Sequence, residues 1–116
     1  MNITFENAGS LLVVILKGRL DATQHQDIKE VVGKQIEAEG AKGVVFDLGG
    51  LDYVSSAGFR EFFLLGRQLQ RSGGGLAVCN LQPSVQQIFD IAQFQTAYPV
   101  CKTRDEALIA IGSSVG

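Results

Sequence analysis

Apolar and polar positions change period several times along the chain. Leu11 to Leu16 runs Leu-Leu-Val-Val-Ile-Leu without a polar residue, a pattern suited to a strand buried on both faces. Asn2 to Glu6 predicts a shorter strand before it, with Asn7, Ala8, Gly9 and Ser10 as the turn, and Gly18 ends the second strand. From Asp21 to Glu39 the period becomes helical. Ile28, Val31, Val32 and Ile36 fall at i, i+3, i+4 and i+8 on one apolar stripe, and Gly40 stops the helix. Val44, Val45 and Phe46 predict a short strand ending near Asp47 and Leu48.

Helical spacing returns from Ser56 to Arg71 through Phe59, Phe62, Phe63, Gly66 and Leu69, and Gly73, Gly74 and Gly75 break it. Leu76 to Cys79 predicts a fourth strand. Pro83 suits the first turn of a third helix, which carries Val85, Ile88, Phe89 and Ala92. Tyr98 to Cys101 predicts a last strand. Thr103 and Glu106 have capping-box spacing, which opens a final helix through Ala107, Leu108 and Ile111. Gly112 to Gly116 is expected to be a frayed tail.

The order ββαβαβαβα belongs to the α/β class. Strands alternating with helices imply a small, mixed, mostly parallel sheet of four or five strands with about four helices, opened by an antiparallel hairpin. The 116 residues suffice for a single domain, 1–116, with a core of its own.

Composition narrows the function. Hydrophobic residues make up 46% and charged residues 19%, an ordinary globular balance. The net charge is -2 and the basic residues are scattered singly, which disfavours nucleic acid, since binding phosphates needs grouped Lys and Arg. No apolar run approaches the roughly 20 residues of a spanning helix, so no membrane insertion is expected. The start Met1-Asn2-Ile3-Thr4-Phe5-Glu6 lacks the basic and apolar regions of a signal peptide. Cys79 and Cys101 are far apart and His25 is the single histidine. Neither a metal site nor a cofactor is expected, and a reducing cytoplasm fits best.

The most informative stretch is Val44 to Phe63: Val-Val-Phe-Asp-Leu-Gly-Gly-Leu-Asp-Tyr-Val-Ser-Ser-Ala-Gly-Phe-Arg-Glu-Phe-Phe. A buried strand leads into a loop, and two serines open a helix. In open α/β sheets, sites are built on loops that leave the carboxyl ends of strands. A helix start presents unpaired N–H groups and a positive dipole end. A serine there can cap the helix, or it can carry a phosphate that the same groups accommodate.

This stretch resembles the signature of the STAS family, in which a strand ending Asp-Leu-Ser leads through an apolar pair to Asp-Ser-Ser-Gly and a helix. Gly18-Arg19-Leu20-Asp21 and Asp105-Glu106-Ala107-Leu108 match the family too, and the resemblance covers nearly the whole chain. It implies the STAS fold and an anti-sigma factor antagonist. Such proteins bind an anti-sigma factor that is itself a GHKL-type serine kinase, free the sigma factor, and are switched off by phosphorylation. A PP2C-type phosphatase restores them. Aligned on Gly58, the phospho-acceptor falls on Ser56, with Ser55 as a rival. Ser55 stands where the family has aspartate, Ala57 where it has a second serine, and Gly49 where it often has serine. The resemblance further implies a partner-binding surface of Asp21, Thr23, Ser55, Ser56, Ala57, Gly58 and Phe59.

Plainer roles are open to several of these residues. Asp21 and Gln24 have the spacing of a cap for the first helix. Asp47, at a strand end, can bond N–H groups of its own turn. Asp52 is expected to be solvated and His25 to be an exposed helix residue. Cys79 suits a buried small hydrophobe. The Gly73-Gly74-Gly75 run lacks the pattern of a phosphate loop. Phe59, Phe62 and Phe63 are mostly core, but they span more than one helical face. One of them exposed would mark a docking surface.

A second function compatible with the same resemblance is an accessory subunit docked on a membrane transporter, such as a lipid transporter of the ATP-binding-cassette type. Retention of Ser56 favours the antagonist. An enzyme would need a base beside its nucleophile and convergent charged groups in a cleft. A single histidine, no metal cluster and no nucleotide loop speak against one.

Overall fold

The computed structural model describes residues 1–115, without the side chains of His25 and of 113–115. Five strands form one sheet in the order β1-β2-β3-β4-β5. β1 (Asn2–Ala8) and β2 (Leu11–Leu20) pair antiparallel, and β3 (Gly43–Val54), β4 (Gly75–Cys79) and β5 (Val100–Cys101) follow in parallel. The hairpin turn is tighter than expected, because β1 continues through Asn7 and Ala8 and leaves Gly9 and Ser10 to turn, with Gly9 at φ +66°.

Three crossovers step in one direction across the sheet. Since such connections are right-handed, their helices must share one face. The first is a continuous helical run built from α1 (His25–Asp27), a π-helical stretch (Ile28–Val32) and α2 (Gly33–Glu39). Then come α3 (Ser56–Arg71) and α4 (Pro83–Ile91). On this face Leu12, Val14, Leu16, Val44, Phe46, Leu76 and Val78 meet Phe62, Phe89 and Phe94 in the larger core. α5 (Arg104–Val115) covers the other face over Leu11, Val13, Val45, Ala77 and Cys79.

The first helix begins later than the pattern predicts, at His25. Its stripe is also narrower: Ile28 and Val32 are fully buried, but Val31 is exposed. The wider π turn swings i+3 away from the face that i and i+4 share. Gly40 ends the run in the left-handed conformation, φ +60°. The last strand is shorter than expected, since Tyr98 sits in the core ahead of it. α5 continues through Val115 where a frayed tail is expected, and Gly116 lies outside the described residues.

The largest departure concerns β3. Instead of ending near Asp47 and Leu48, it extends to Val54. β4 accompanies it only from Gly43 to Asp47. Beyond that, β3 follows β2 alone, through two register shifts, to the pair Leu20↔Val54. Leu48, Leu51 and Val54 are buried. Their three-residue spacing spans the two register shifts, between Asp47 and Gly50 and between Leu51 and Tyr53, so no alternation marks this segment as a strand.

Candidate functional site

The long β3 delivers the serines to the end of β2. The Ser55 amide donates to the Leu20 carbonyl at 2.8 Å, which ties the start of α3 to the last residue of β2. Ser55 is the N-cap of α3, with extended backbone (φ -78°, ψ 167°), and its Oγ accepts from the Gly58 amide at 3.1 Å. Ser56 is the first helical residue and is exposed. Ala57 is half-buried. The amides of Ser56 and Ala57 lie in the first turn, where the helix itself supplies no acceptor.

Gly58 is buried against Leu20. A Cβ there would come within 2.6 Å of Leu20 Cγ and 3.0 Å of the Leu20 carbonyl oxygen. The close approach of α3 to β2 therefore requires glycine at this position.

Asp21 follows β2 directly. Its Oδ1 accepts from the Thr23 hydroxyl at 2.7 Å and from the Thr23 amide at 2.9 Å. These two bonds, with the Thr23 hydroxyl foremost, hold the Asp21 carboxyl below its ordinary pKa. Gln24 Oε1 accepts in return from the Asp21 amide at 3.3 Å. The expected cap is thus present, but it closes the turn before α1 rather than the helix itself, whose N-cap is Gln24. Thr23 is exposed beside it.

Phe59 is placed differently. Its ring stands 4.8 Å from that of Phe89 and 5.2 Å from that of Phe63, centre to centre, both edge-to-face. None of Phe59, Phe62 and Phe63 is exposed, because Phe89, Phe94 and Tyr98 supply ring partners on the second helical face. Among the described residues the exposed large apolar side chains are Val31, Tyr53, Leu64, Ile91 and Ile109. Tyr53 stands nearest the serines in the chain, and its guanidinium neighbour Arg19 lies over its ring. Both lie in stretches singled out above, Arg19 in Gly18-Arg19-Leu20-Asp21 and Tyr53 just before the serines, but no local pattern pairs them.

Asp47 does bond its own turn, accepting from the Gly49 amide at 3.1 Å. It also accepts from Asn80 Nδ2 at 3.2 Å and pairs with Arg104 at 3.1 Å. Asp52 is exposed. The side chain of His25 lies outside the described residues. Cys79 is fully buried and Cys101 half-buried. Among the described residues no group of three or more His, Cys, Asp and Glu side chains could hold a metal ion, and no helix is long and apolar enough to cross a membrane.

A family model described as STAS domain matches residues 2–107. The chain belongs to the STAS family. A relative from Bordetella bronchiseptica, BtrV, provisionally named an anti-sigma factor antagonist, is 32% identical over 99% of this STAS chain and 98% of its own. The anti-sigma F factor antagonist of Paenibacillus polymyxa is 26% identical over 93% of this chain and 92% of its own. Among solved structures, the Bacillus cell fate determinant SpoIIAA in its phosphorylated form shares the fold with TM-score 0.72 at 18% identity, covering 94% of this chain and 98% of that one.

Proposed function

We propose that this STAS protein is an anti-sigma factor antagonist that works in the cytoplasm by binding rather than by catalysis. Its partner is an anti-sigma factor with serine kinase activity, and phosphorylation of Ser56 switches it off. A phosphatase of the PP2C type reverses the switch. The observation that carries this reading is the division of labour between the two serines. The Ser55 hydroxyl is engaged in capping α3, and Ser56 stands exposed at the first helical position. Family membership and relatives named as antagonists support it. So does a neighbour of the same fold that accepts a phosphoryl group.

The switch needs no change of fold. A phosphoserine adds about -1.5 to -2 charges. At Ser56 it meets the open amides and positive end of α3, which stabilise the modified monomer. A partner that packs closely over the same serine must strip water from the phosphate, which is costly without a matching cation. Asp21 and Thr23, on the neighbouring turn, extend the contact surface, and Ala57 and Gly58 keep the helix start low.

The test is recovery of tagged protein from its native host, with intact mass of the bait and identification of what it retains. The expected result is a singly phosphorylated fraction mapped to Ser56, and a serine-kinase anti-sigma factor held by the unmodified fraction alone. An unmodified bait that retains a transporter ATPase, or equal anti-sigma factor binding by Ser56→Asp and wild type, refutes the reading.

A further inference from the structure

Arg19 and Tyr53 face each other across the β2–β3 ladder, one pair before Leu20 and Val54. The Arg19 guanidinium carbon lies 4.3 Å from the centre of the Tyr53 ring. Both side chains are exposed, and Tyr53 retains 39% of its surface. Leu20 and Val54 point into the core beneath α3, so Arg19 and Tyr53 lie on the outer side of the same ribbon. Arg104 pairs with Glu6 and Asp47. Arg19 acts on Asp21 as a nearby charge that favours the ionised carboxylate. Its donors are engaged by no carboxylate among the described residues.

We propose that Arg19 and Tyr53 form a second anchor of the partner interface. Arg19 receives a carboxylate of the anti-sigma factor, and Tyr53 backs it with apolar contact. The proposal rests on the antagonist reading above. Three features select this pair. First, reach: a standard interface covers about 800 Å² per partner, a disc roughly 16 Å in radius, whereas Tyr53 is three residues and at most about 11 Å of chain from Ser56. A partner centred on Ser56 extends as far as the pair. Second, preorganisation: the ring restrains a side chain that otherwise loses much freedom on binding. The guanidinium keeps its fork of donors for a bidentate carboxylate. Tyr and Arg are the residue types that dominate binding energy when an interface desolvates them.

Third, charge order. Asp21 and Arg19 present opposite charges two residues apart beside the serines. A partner that matches both, with a cation against Asp21 and a carboxylate against Arg19, docks in one register, and the reversed register meets like charges. A lone arginine beside an aspartate is a poor receiver for a phosphate-rich ligand, which a group of cations would suit.

The experiment measures affinity of the full-length protein for the anti-sigma factor recovered from its host, with wild type, Ser56→Asp, Arg19→Ala, Tyr53→Ala and the double variant. Thermal unfolding of each variant verifies folding. The expected result is about thirtyfold weaker binding for either alanine variant, as for a Tyr or Arg that an interface desolvates. The double variant is expected to be much less than the product of the two, because the pair acts as a unit. Arg19→Ala also flattens the salt dependence of binding. If both alanine variants bind within twofold of wild type while Ser56→Asp fails to bind, the anchor is wrong and the antagonist reading stands. If wild type binds no anti-sigma factor, the antagonist reading falls and takes the anchor with it.

Discussion

Ser55 Oγ accepts a hydrogen bond from the Gly58 amide at 3.1 Å and so caps the helix that Ser56 begins. The two neighbouring hydroxyls therefore separate by role. Ser55→Ala is expected to lower unfolding stability by about 1 kcal/mol, the usual cost of a lost N-cap, read as a fall in the urea midpoint. Ser56→Ala is expected to stay within about 0.5 kcal/mol of wild type, as for an exposed surface residue. Treatment with the partner kinase should reverse the order: Ser55→Ala still takes up phosphate and Ser56→Ala does not. Phosphate uptake by Ser56→Ala would assign the acceptor to Ser55.

Gly58→Ala tests the contact between α3 and β2. Its Cβ would stand 2.6 Å from Leu20 Cγ and 3.0 Å from the Leu20 carbonyl oxygen, and the carbonyl belongs to the strand that anchors the Ser55 amide. The gain in helix propensity from alanine, about 1 kcal/mol, opposes overpacking of about 1–3 kcal/mol. Because one of the contacts is backbone, the overpacking is expected to win, with net destabilisation and a weakened grip on partner. Unfolding in urea alongside partner affinity gives the check. A variant more stable than wild type would show that α3 can slide away from Leu20.

The Asp47 carboxyl titrates under opposing influences. Burial pushes its pKa up, but the Gly49 amide, Asn80 and Arg104 outweigh burial and hold it below the ordinary value. A depressed carboxyl stabilises the fold fully above its unfolded pKa of about 3.9. That contribution is lost as pH falls through the lower folded value. Stability measured in urea should therefore decline below about pH 4, and Asp47→Asn should flatten that decline. An equally steep decline in Asp47→Asn would place the acid sensitivity elsewhere.

Cys79 is fully buried, and burial is the main cause that pushes its thiol up to about 12. The thiolate is the reactive form, so Cys79 should resist alkylation at neutral pH until the protein unfolds. Cys101 is half-buried with its pKa raised in the same way, and is expected to react first but slowly. Mass mapping after timed iodoacetamide treatment gives the order. Rapid labelling of Cys79 in native protein would mean that α5 lifts readily from the sheet.

The chain's local patterns determined much of this protein. Leu11 to Leu16 is a strand buried on both faces, as a continuous apolar run requires. The Ser56–Arg71 helix has the predicted bounds, because its apolar period, its serine start and its glycine stop all lie in adjacent residues. Thr103 caps α5 by accepting from the Glu106 amide at 3.2 Å, as their spacing implies. Motif order placed the serines at the helix start, where the backbone geometry puts them.

Tertiary structure decided what depends on residues far apart in the chain. The second half of β3 has no alternation; the β2 ladder holds Leu48 to Val54 extended, helped by Gln82, which donates to the Gly49 carbonyl at 2.9 Å. Asp47 is 57 positions from the Arg104 that pairs with it. Phe59 is half-buried because Phe89 on α4 and Phe94 beyond its end close over it. Tyr53 is exposed, and paired with Arg19, because the shifted register sets the two opposite each other on the outer side of the ribbon. Periodicity records which way a regular backbone faces. It carries no signal for the register shifts within β3, or for a partner supplied by another strand, and those two circumstances set the surface around Ser56.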